Sequence, residues 1–203
     1  MLRITTLLAF FTISIISYAQ SDIRKVLFIG IDGCRWDAIQ EANAPNLDNL
    51  LNNSVYSANG LTEYQTWSGT GWSNMLTGVW HTKHGVNNNA FTAPNFGTYP
   101  DFLSRIETYN PELNTFSVVH WAPLNTQIVQ ASDQEITMAT DLEVKDAAVE
   151  LLTTNNPDVL FVAFDDVDHA GHGYGFSPQV PQYIESIEIT DAYIGELMTA
   201  LQN

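Results

Sequence analysis

The segment DHAGHGYG at residues 168–175 carries the side chains best suited to chemistry, because it places two histidines beside a carboxylate. Asp168, His169 and His172 form a mixed Asp/His set, which suits zinc or a similar divalent ion. The glycines between them let the backbone fold tightly enough for the side chains to converge. The pattern predicts a Gly-rich metal-binding loop, and an exposed loop without metal is the open alternative.

Further carboxylates follow two predicted strands at the point where each strand ends. Asp32 follows residues 25–31, and the acidic residues at 165, 166 and 168 follow residues 159–164. Ligands of parallel α/β sheets bind beyond the carboxyl ends of the strands, so we expect these side chains at one rim. Like charges at a shared rim repel unless cations lie between them, which favours a metal. An Asp after a strand is also a common turn or capping residue.

Hydroxyl groups cluster in the predicted turn at 66–71, before a short helix predicted at 72–76. Free N–H groups and the helix dipole favour an anion there, and a serine can act as nucleophile when a metal lowers its pKa. Alternatively, Ser68 or Thr70 only caps the helix. Trp67 and Trp72 flank this turn, where they either stack on an aromatic leaving group or pack against the fold.

The rest of the chain alternates strands with helices. Continuous β-branched and aromatic runs predict strands buried on both faces, at 25–31, 115–121 and 159–164. Apolar residues at helical spacing predict helices at 46–51, 101–109, 141–153 and 183–201. This alternation predicts a three-layer α/β sandwich with a largely parallel central sheet.

Composition limits the function classes. The 203 residues are 45% hydrophobic and 15% charged, which indicates one domain with a real core. Seven Lys and Arg residues face 23 Asp and Glu residues, giving a formal net charge of −16. Such a surface repels nucleic-acid polymers and anionic membranes. A small anionic substrate remains compatible, provided that bound cations reverse the potential locally.

Residues 1–19 predict a signal peptide. Arg3 precedes an apolar run at 4–16, and small residues at Ser17 and Ala19 predict cleavage after Ala19. The run is short for a membrane span, so we expect a secreted or periplasmic protein with no stable membrane anchor after cleavage. Cys34 is the only cysteine, which excludes an internal disulfide.

Four blocks, in this order, resemble the type I phosphodiesterase/nucleotide pyrophosphatase family of the alkaline phosphatase superfamily. They are VLFIGIDGCR at 26–35, APNLDNL at 44–50, LTGVWHTKHGV at 76–86 and DHAGHGYG at 168–175. Each block is weak alone, and the ordered set is specific. The resemblance implies an alkaline-phosphatase-like fold and a metal-dependent hydrolase acting on phosphoric esters, with a small phosphorylated substrate.

The resemblance also implies a role for individual side chains. Two divalent ions, with zinc as the expected metal, are the implied cofactors, and Thr66 is the fallback for the nucleophile. His169 and Asp166 do not match ligand positions and are expected to support the loop. The implied site consists of Asp32 as a ligand of one metal, Ser68 as the nucleophile activated by a metal, Asn89 as a partner of a phosphoryl oxygen, and Asp168 and His172 as ligands of the other metal.

Two departures from the family pattern leave alternatives open. Serine replaces the usual threonine at 68, and Gly-Thr-Gly follows it, so the preference between monoesters and diesters stays open. The family also takes an Asp-His pair and another His from sequence beyond the closing helix. We therefore expect residues 20–203 to be the N-terminal part of the catalytic domain. The alternatives are a catalytically incomplete binding module and, more remotely, a sulfatase or phosphonate hydrolase. Cys34 is not in a sulfatase motif and is expected to be structural.

Overall fold

The structure is a computed structural model that describes residues 25–52, 54–63 and 65–202. The predicted signal peptide at 1–19 lies outside the described residues, and export therefore stays a prediction. Among the helices of the described ranges, none combines the length and the apolar character needed to cross a bilayer.

Four parallel strands form the central sheet, in the order β1-β4-β2-β3. Ile31 at the end of β1 pairs with Phe164 at the end of β4, and Val119 at the end of β2 pairs with Ala163. The carboxyl ends of these three strands therefore lie side by side at one rim of the sheet. The strands are β1 (Val26–Ile31), β2 (Thr115–Val119), β3 (Gln134–Thr137) and β4 (Val159–Phe164).

Helices connect the strands and cover both faces of the sheet. Two of them begin at side-chain caps: Asp101 accepts from the Ser104 N–H at 3.1 Å, and Thr140 accepts from the Glu143 N–H at 3.2 Å. A π-helical turn spans Leu124–Ile128. The helices are α1 (Trp36–Glu41), α2 (Pro45–Leu51), α3 (Ser68–Thr77), α4 (His81–His84), α5 (Phe102–Tyr109), α6 (Asp141–Thr154), α7 (Asp166–Tyr174) and α8 (Pro181–Ala200).

The central strand β4 shows why the domain has three layers. All six of its residues are buried, and successive side chains point to opposite faces. Phe161 packs in a cluster with Trp72 of α3 and Leu103 of α5. Leu160, Val162 and Phe164 pack on the other face, against side chains of α6 and α8. The predicted three-layer α/β sandwich with a parallel sheet is confirmed.

Three of the predicted elements have a different form in the structure. Residues 168–175 are mostly helical, because α7 continues through two glycines to Tyr174, and the predicted Gly-rich loop is wrong there. Helix α3 begins at Ser68 and not at residue 72, so the predicted turn contributes its first helical turn. Strand β1 is only half-buried, because within the described chain it pairs with β4 on one side alone.

Candidate active site

Asp32 occupies the rim position directly after β1, and its carboxylate is fixed by two donors. Oδ1 accepts from the Gly33 N–H at 2.8 Å, and Oδ2 accepts from the Trp72 indole N–H at 3.0 Å. The Trp72 ring reaches this position because it crosses Gly30, where any Cβ would collide with the indole. Trp72 is 2% exposed, so of the two predicted roles it has the packing one.

Gly33 brings the end of β1 against α7. Its backbone has a φ of +64°, and a Cβ there would lie 2.6 Å from the Asp168 Cα and 2.7 Å from Asp168 Oδ1. Only glycine combines that conformation with that approach. Asp32 and Asp168 are thereby held at neighbouring positions on the rim, as the strand-end argument predicts.

Helix α7 places Asp168 and His172 on one face, one turn apart. The His172 Nε2 lies 3.4 Å from Asp168 Oδ2. The His172 side chain is 74% exposed, and its ring packs edge-on against Phe176 at 5.1 Å between centroids. Phe176 fits there because Gly171 has no side chain to obstruct it. A helix therefore brings together the side chains that the sequence had assigned to a Gly-rich loop.

Ser68 is the first residue of α3, on the opposite wall of the rim. The capping position belongs to Trp67, whose side chain makes no capping bond, so neither Ser68 nor Thr70 caps this helix. Within the described residues, no hydrogen bond of the Ser68 hydroxyl is found. Because Ser68 is the first residue of α3, its hydroxyl lies at the positive end of the helix dipole. Thr66 lies on the same wall but precedes the helix.

Asn89 lies against the start of α3. Its Oδ1 accepts from the Gly69 N–H at 2.7 Å, which leaves the Asn89 NH₂ group as its remaining polar end. Gly69 permits this approach, because a Cβ there would lie 2.8 Å from the Asn88 carbonyl oxygen. The glycine after Ser68, a departure from the family pattern, thus has a structural reason.

His84 positions the segment that carries Asn89, a role that the sequence did not reveal. Its ring is fully buried, accepting from the Val86 N–H at 3.1 Å through Nδ1 and contacting Asn74 Oδ1 at 2.6 Å through Nε2. Burial lowers the pKa of His84, which favours the neutral ring. Gly85 follows with a φ of +82°, which turns the chain toward Asn89.

These side chains line one continuous cleft. Its larger part, about 1000 Å³, is bounded by Asp32, Ser68, Asp168 and His172, with Trp67 among its walls. A smaller part of about 390 Å³ shares Ser68, Asp168 and His172 with it and reaches Asn89. The structure therefore brings together the five side chains that the sequence resemblance selects.

Cys34 also borders the cleft, but it is a packing residue. Its side chain is a neighbour of the buried cluster around Ala38 and Tyr183. Burial raises the pKa of the Cys34 thiol to about 12, so the thiol stays protonated at neutral pH. A protonated thiol is a poor nucleophile and metal ligand, in agreement with the predicted structural role.

Carboxylates crowd the rim and perturb one another. Burial, followed by the negative charge of Asp32, raises the pKa of Asp165 to about 6. The same two causes raise the pKa of Asp168. A cation among these groups would relieve both their desolvation and their mutual repulsion.

Comparison with known proteins now identifies the group to which this chain belongs. The family model for type I phosphodiesterase/nucleotide pyrophosphatase matches residues 26–111 and 98–203. The chain is a member of this family. Its match covers nearly all the described residues, which confirms the resemblance drawn from the four sequence blocks.

Solved structures with the same fold include members of this group. Murine ectonucleotide pyrophosphatase/phosphodiesterase 5, as an inactive variant with AMP, has a TM-score of 0.71 and 17% identity, covering 88% of this chain and 52% of that one. The human protein has a TM-score of 0.70 and 16% identity, and the match covers 88% of this chain and 52% of that one. Phosphonoacetate hydrolase from Sinorhizobium meliloti 1021, in complex with phosphonoacetate, has a TM-score of 0.59 and 15% identity. That match covers 87% of this chain and 54% of that one. The chain thus spans about half the length of these proteins, and no curated protein matches it.

The donors present in this family member fit divalent ions, although they do not form one compact set. Asp32, Asp168 and His172 supply two carboxylates and an imidazole, which suits zinc and related ions. Asp168 and His172 lie 3.4 Å apart, but within the described residues Asp32, Asp168 and His172 are not a group whose ligand atoms all lie within 4.8 Å of one another. That the three residues serve two different ions, as the resemblance implies, stays a prediction.

Compact three-ligand groups do occur nearby, at residues that the family pattern does not select. Within the described part of the chain, two groups have ligand atoms within 4.8 Å of one another: His120, Asp165 and His169, and His120, Asp141 and Asp166. The sequence analysis missed His120 and Asp141. His120 follows β2 directly, whereas the predicted strand at 115–121 placed it inside the strand, so its position at the rim did not show in the sequence.

Proposed function

We propose that the protein hydrolyses small phosphoric esters, with Ser68 as its nucleophile and two divalent ions as cofactors. The observation that carries the proposal is the meeting of Ser68, at the start of α3, with Asp32, Asp168 and His172 in one cleft. Family membership supports the same class of reaction. The activity of the whole protein is proposed here, because the chain spans about half of the similar structures.

Asp32 would hold one ion, and Asp168 with His172 would hold the other. When bound, such ions supply positive charge that favours ionisation of a nearby hydroxyl and stabilises the oxygens of phosphoryl transfer. The clustered carboxylates explain why ions are needed: the rim repels an anionic substrate until its charge is reversed. Zinc is the proposed metal, since the donors combine oxygen and imidazole nitrogen.

The chemistry at Ser68 would proceed by double displacement. The Ser68 hydroxyl loses its proton and its oxygen attacks phosphorus, while the bond to the ester oxygen breaks and the leaving alcohol takes up a proton. The resulting phosphoserine is then attacked by water, which restores the Ser68 hydroxyl and releases phosphate or a phosphomonoester. The position of Ser68 at a helix start favours the negative charge on its oxygen.

Asn89 and Trp67 would orient the substrate. Because Asn89 Oδ1 is occupied by the Gly69 N–H, its NH₂ group can donate to an equatorial phosphoryl oxygen. Trp67 is 45% exposed on the cleft wall and offers an apolar face to the ester group. The size of the cleft, about 1000 Å³, suits a small molecule. We further propose export of the protein, on the basis of residues 1–19.

The test is hydrolysis of p-nitrophenyl phosphate and bis-p-nitrophenyl phosphate by the Zn²⁺-loaded full chain and by Ser68→Ala. Loss of the nucleophile should lower kcat by about 10³-fold or more, since neighbouring groups cannot replace it. Thr66→Ala is the matched control and should retain turnover within about threefold. The opposite result for the two variants would transfer the nucleophile to Thr66. Full activity in both would contradict a hydroxyl nucleophile here.

The same measurements separate the alternatives. A catalytically incomplete binding module would bind Zn²⁺ without turnover of either ester. Release of phosphate from phosphonoacetate, with neither nitrophenyl ester hydrolysed, would favour a phosphonate hydrolase, whose fold this chain shares at a TM-score of 0.61 in a second structure. Turnover of an aryl sulfate alone would favour a sulfatase.

A further inference from the structure

A second His/Asp cluster lies at the rim where β4 and β2 end, and the buried Asp141 side chain forms hydrogen bonds to it. The Asp141 carboxylate is fully buried and accepts from the N–H groups of Asp165 at 2.8 Å and Asp166 at 2.9 Å. It also contacts Nδ1 of His120 at 2.9 Å. Because Asp141 is an acceptor, this contact favours the proton on Nδ1 and leaves the lone pair on Nε2 of His120.

This arrangement is the one that proteins use to hold a metal-binding histidine. A carboxylate fixes one ring nitrogen, which sets the tautomer and directs the other nitrogen at the ion. The His120 side chain is 12% exposed, so its orientation is also restricted by packing. Asp141 is therefore a positioning residue that prepares His120 as a ligand.

Two more metal-binding side chains lie close to this histidine. His169 Nε2 lies 3.1 Å from Asp165 Oδ2, and the His120 and His169 rings approach at 5.2 Å with an interplanar angle of 88°. Zinc bonds of about 2.0–2.1 Å in tetrahedral geometry separate ligand atoms by roughly 3.4 Å. The donor atoms of the three residues already lie within 4.8 Å of one another, so small side-chain rotations would complete the set.

We propose that His120, Asp165 and His169 bind an additional divalent cation of the zinc class, separate from the ions of the proposed catalytic site. Its two nitrogens and one carboxylate come from the ends of β2 and β4 and from α7. The family pattern selects none of these three residues. This proposal does not depend on the proposed function, because binding of the cation requires no ester hydrolysis.

Charge and access both favour a cation at this position. Asp141, Asp165 and Asp166 surround it, and in the described chain their ion pairs are all with histidines, never with Lys or Arg. Asp165 and His169 line the smaller part of the cleft, which gives an ion a route from solvent. The second group, with Asp141 and Asp166, offers only one nitrogen, and Asp141 already caps α7, so we favour the first group.

The experiment is titration of the metal-free full chain with Co²⁺ and Zn²⁺, followed by calorimetry and by the visible absorption of bound Co²⁺. His169→Ala is the main variant, because its side chain is 60% exposed and its removal should leave the fold intact. It should lose one binding event and the corresponding part of the Co²⁺ spectrum, and His120→Gln should lose the same event. Circular dichroism verifies folding of each variant.

Two control variants make the result specific. His172→Ala should keep the event that His169→Ala loses. His81→Ala removes another histidine paired with a carboxylate, Glu63 at 2.6 Å, and should keep every event. Unchanged isotherms and spectra in folded His169→Ala and His120→Gln would overturn the proposal and leave a metal-free His/Asp ion-pair network.

Ring-nitrogen NMR gives an independent readout. The chain has only five histidines, and His84 is accounted for by its buried hydrogen bonds. Added Zn²⁺ should shift His120 and His169 together, with the ligating nitrogen of His120 being Nε2. A shift confined to His172 would overturn the proposal without affecting the proposed catalytic site.

Discussion

Helix α7 and its N-cap residue Asp165 carry two Asp–His pairs with the same four-residue spacing, and the two pairs have very different surroundings. Asp168 and His172 face β1 and α3, and their closest atoms are 3.4 Å apart. Asp165 and His169 face β2 and α6, at 3.1 Å. The Asp165 side chain is 6% exposed and that of Asp168 is 19% exposed. Identical local spacing therefore produced a more exposed pair, Asp168 and His172, which we call the open pair, and a less exposed pair, Asp165 and His169, which we call the closed pair.

The difference comes from what lies behind each pair. A third residue, His120, supported by the buried Asp141, joins the closed pair and completes a compact set of donors. The open pair faces Ser68 across the cleft and has no such third donor within the described chain. The open pair thus lies beside the larger part of the cleft, whereas the closed pair belongs to a group of three side chains whose ligand atoms lie within 4.8 Å of one another.

The strongest test of this comparison removes the charge of the open pair. Asp168→Asn keeps the shape of the side chain but eliminates a proposed metal ligand, so ester hydrolysis should fall by about 10³-fold. Steady-state kinetics on bis-p-nitrophenyl phosphate measure the loss. Asp166→Asn, also in the first turn of α7, is the matched control and should keep near-normal turnover. Equal losses in both variants would mean that the helix charge, and not the open pair, matters.

The closed pair should make the stability of the metal-free chain depend on pH. Burial and the charge of Asp32 raise the pKa of Asp165 to about 6, above an ordinary value near 3.9. The folded state thus favours protonated Asp165, so its contribution is fully present below about pH 4 and is lost as pH rises through about 6. Two pKa units correspond to about 3 kcal/mol at most.

Asp165→Asn isolates this contribution, because asparagine stays neutral. In urea unfolding with EDTA, wild type should lose more stability than Asp165→Asn between pH 4.5 and pH 7.5. Asp37→Asn, which removes an exposed carboxylate paired with Arg35, is the control and should follow wild type. Parallel pH curves for wild type and Asp165→Asn would contradict the burial argument.

The smallest effect is expected at Trp72, which supports Asp32 in the proposed catalytic site. Trp72→Phe keeps most of the buried ring but removes the indole N–H that donates to Asp32 at 3.0 Å. Loss of such a supporting bond should lower Zn²⁺ affinity or kcat about 10-fold. The Co²⁺ event that depends on His169 should not change. If Trp72→Phe also lost the Co²⁺-binding event that depends on His169, the two pairs would be coupled through the sheet.

The sequence predicted most of the fold because its strongest signals are local. The apolar run of β4 and the periodic pattern of α6 both appeared where expected. Strand β3 (Gln134–Thr137) was missed because it is short and polar, as an exposed edge strand is. Helix α7 was missed because Gly171 and Gly173 indicate a loop. In the fold, Gly171 makes room for Phe176 instead.

What the sequence determined by itself was the type and order of most of the elements and the family-matched residues, since these depend on composition and spacing along the chain. The tertiary structure decided which donors meet. Asp141 and His120 lie 21 positions apart and carry no motif, yet His120 follows β2 and Asp141 follows β3, and the parallel pairing of these two strands places both residues on the same rim. Metal-binding geometry depends on distances across strands, and those are set only when the sheet has formed.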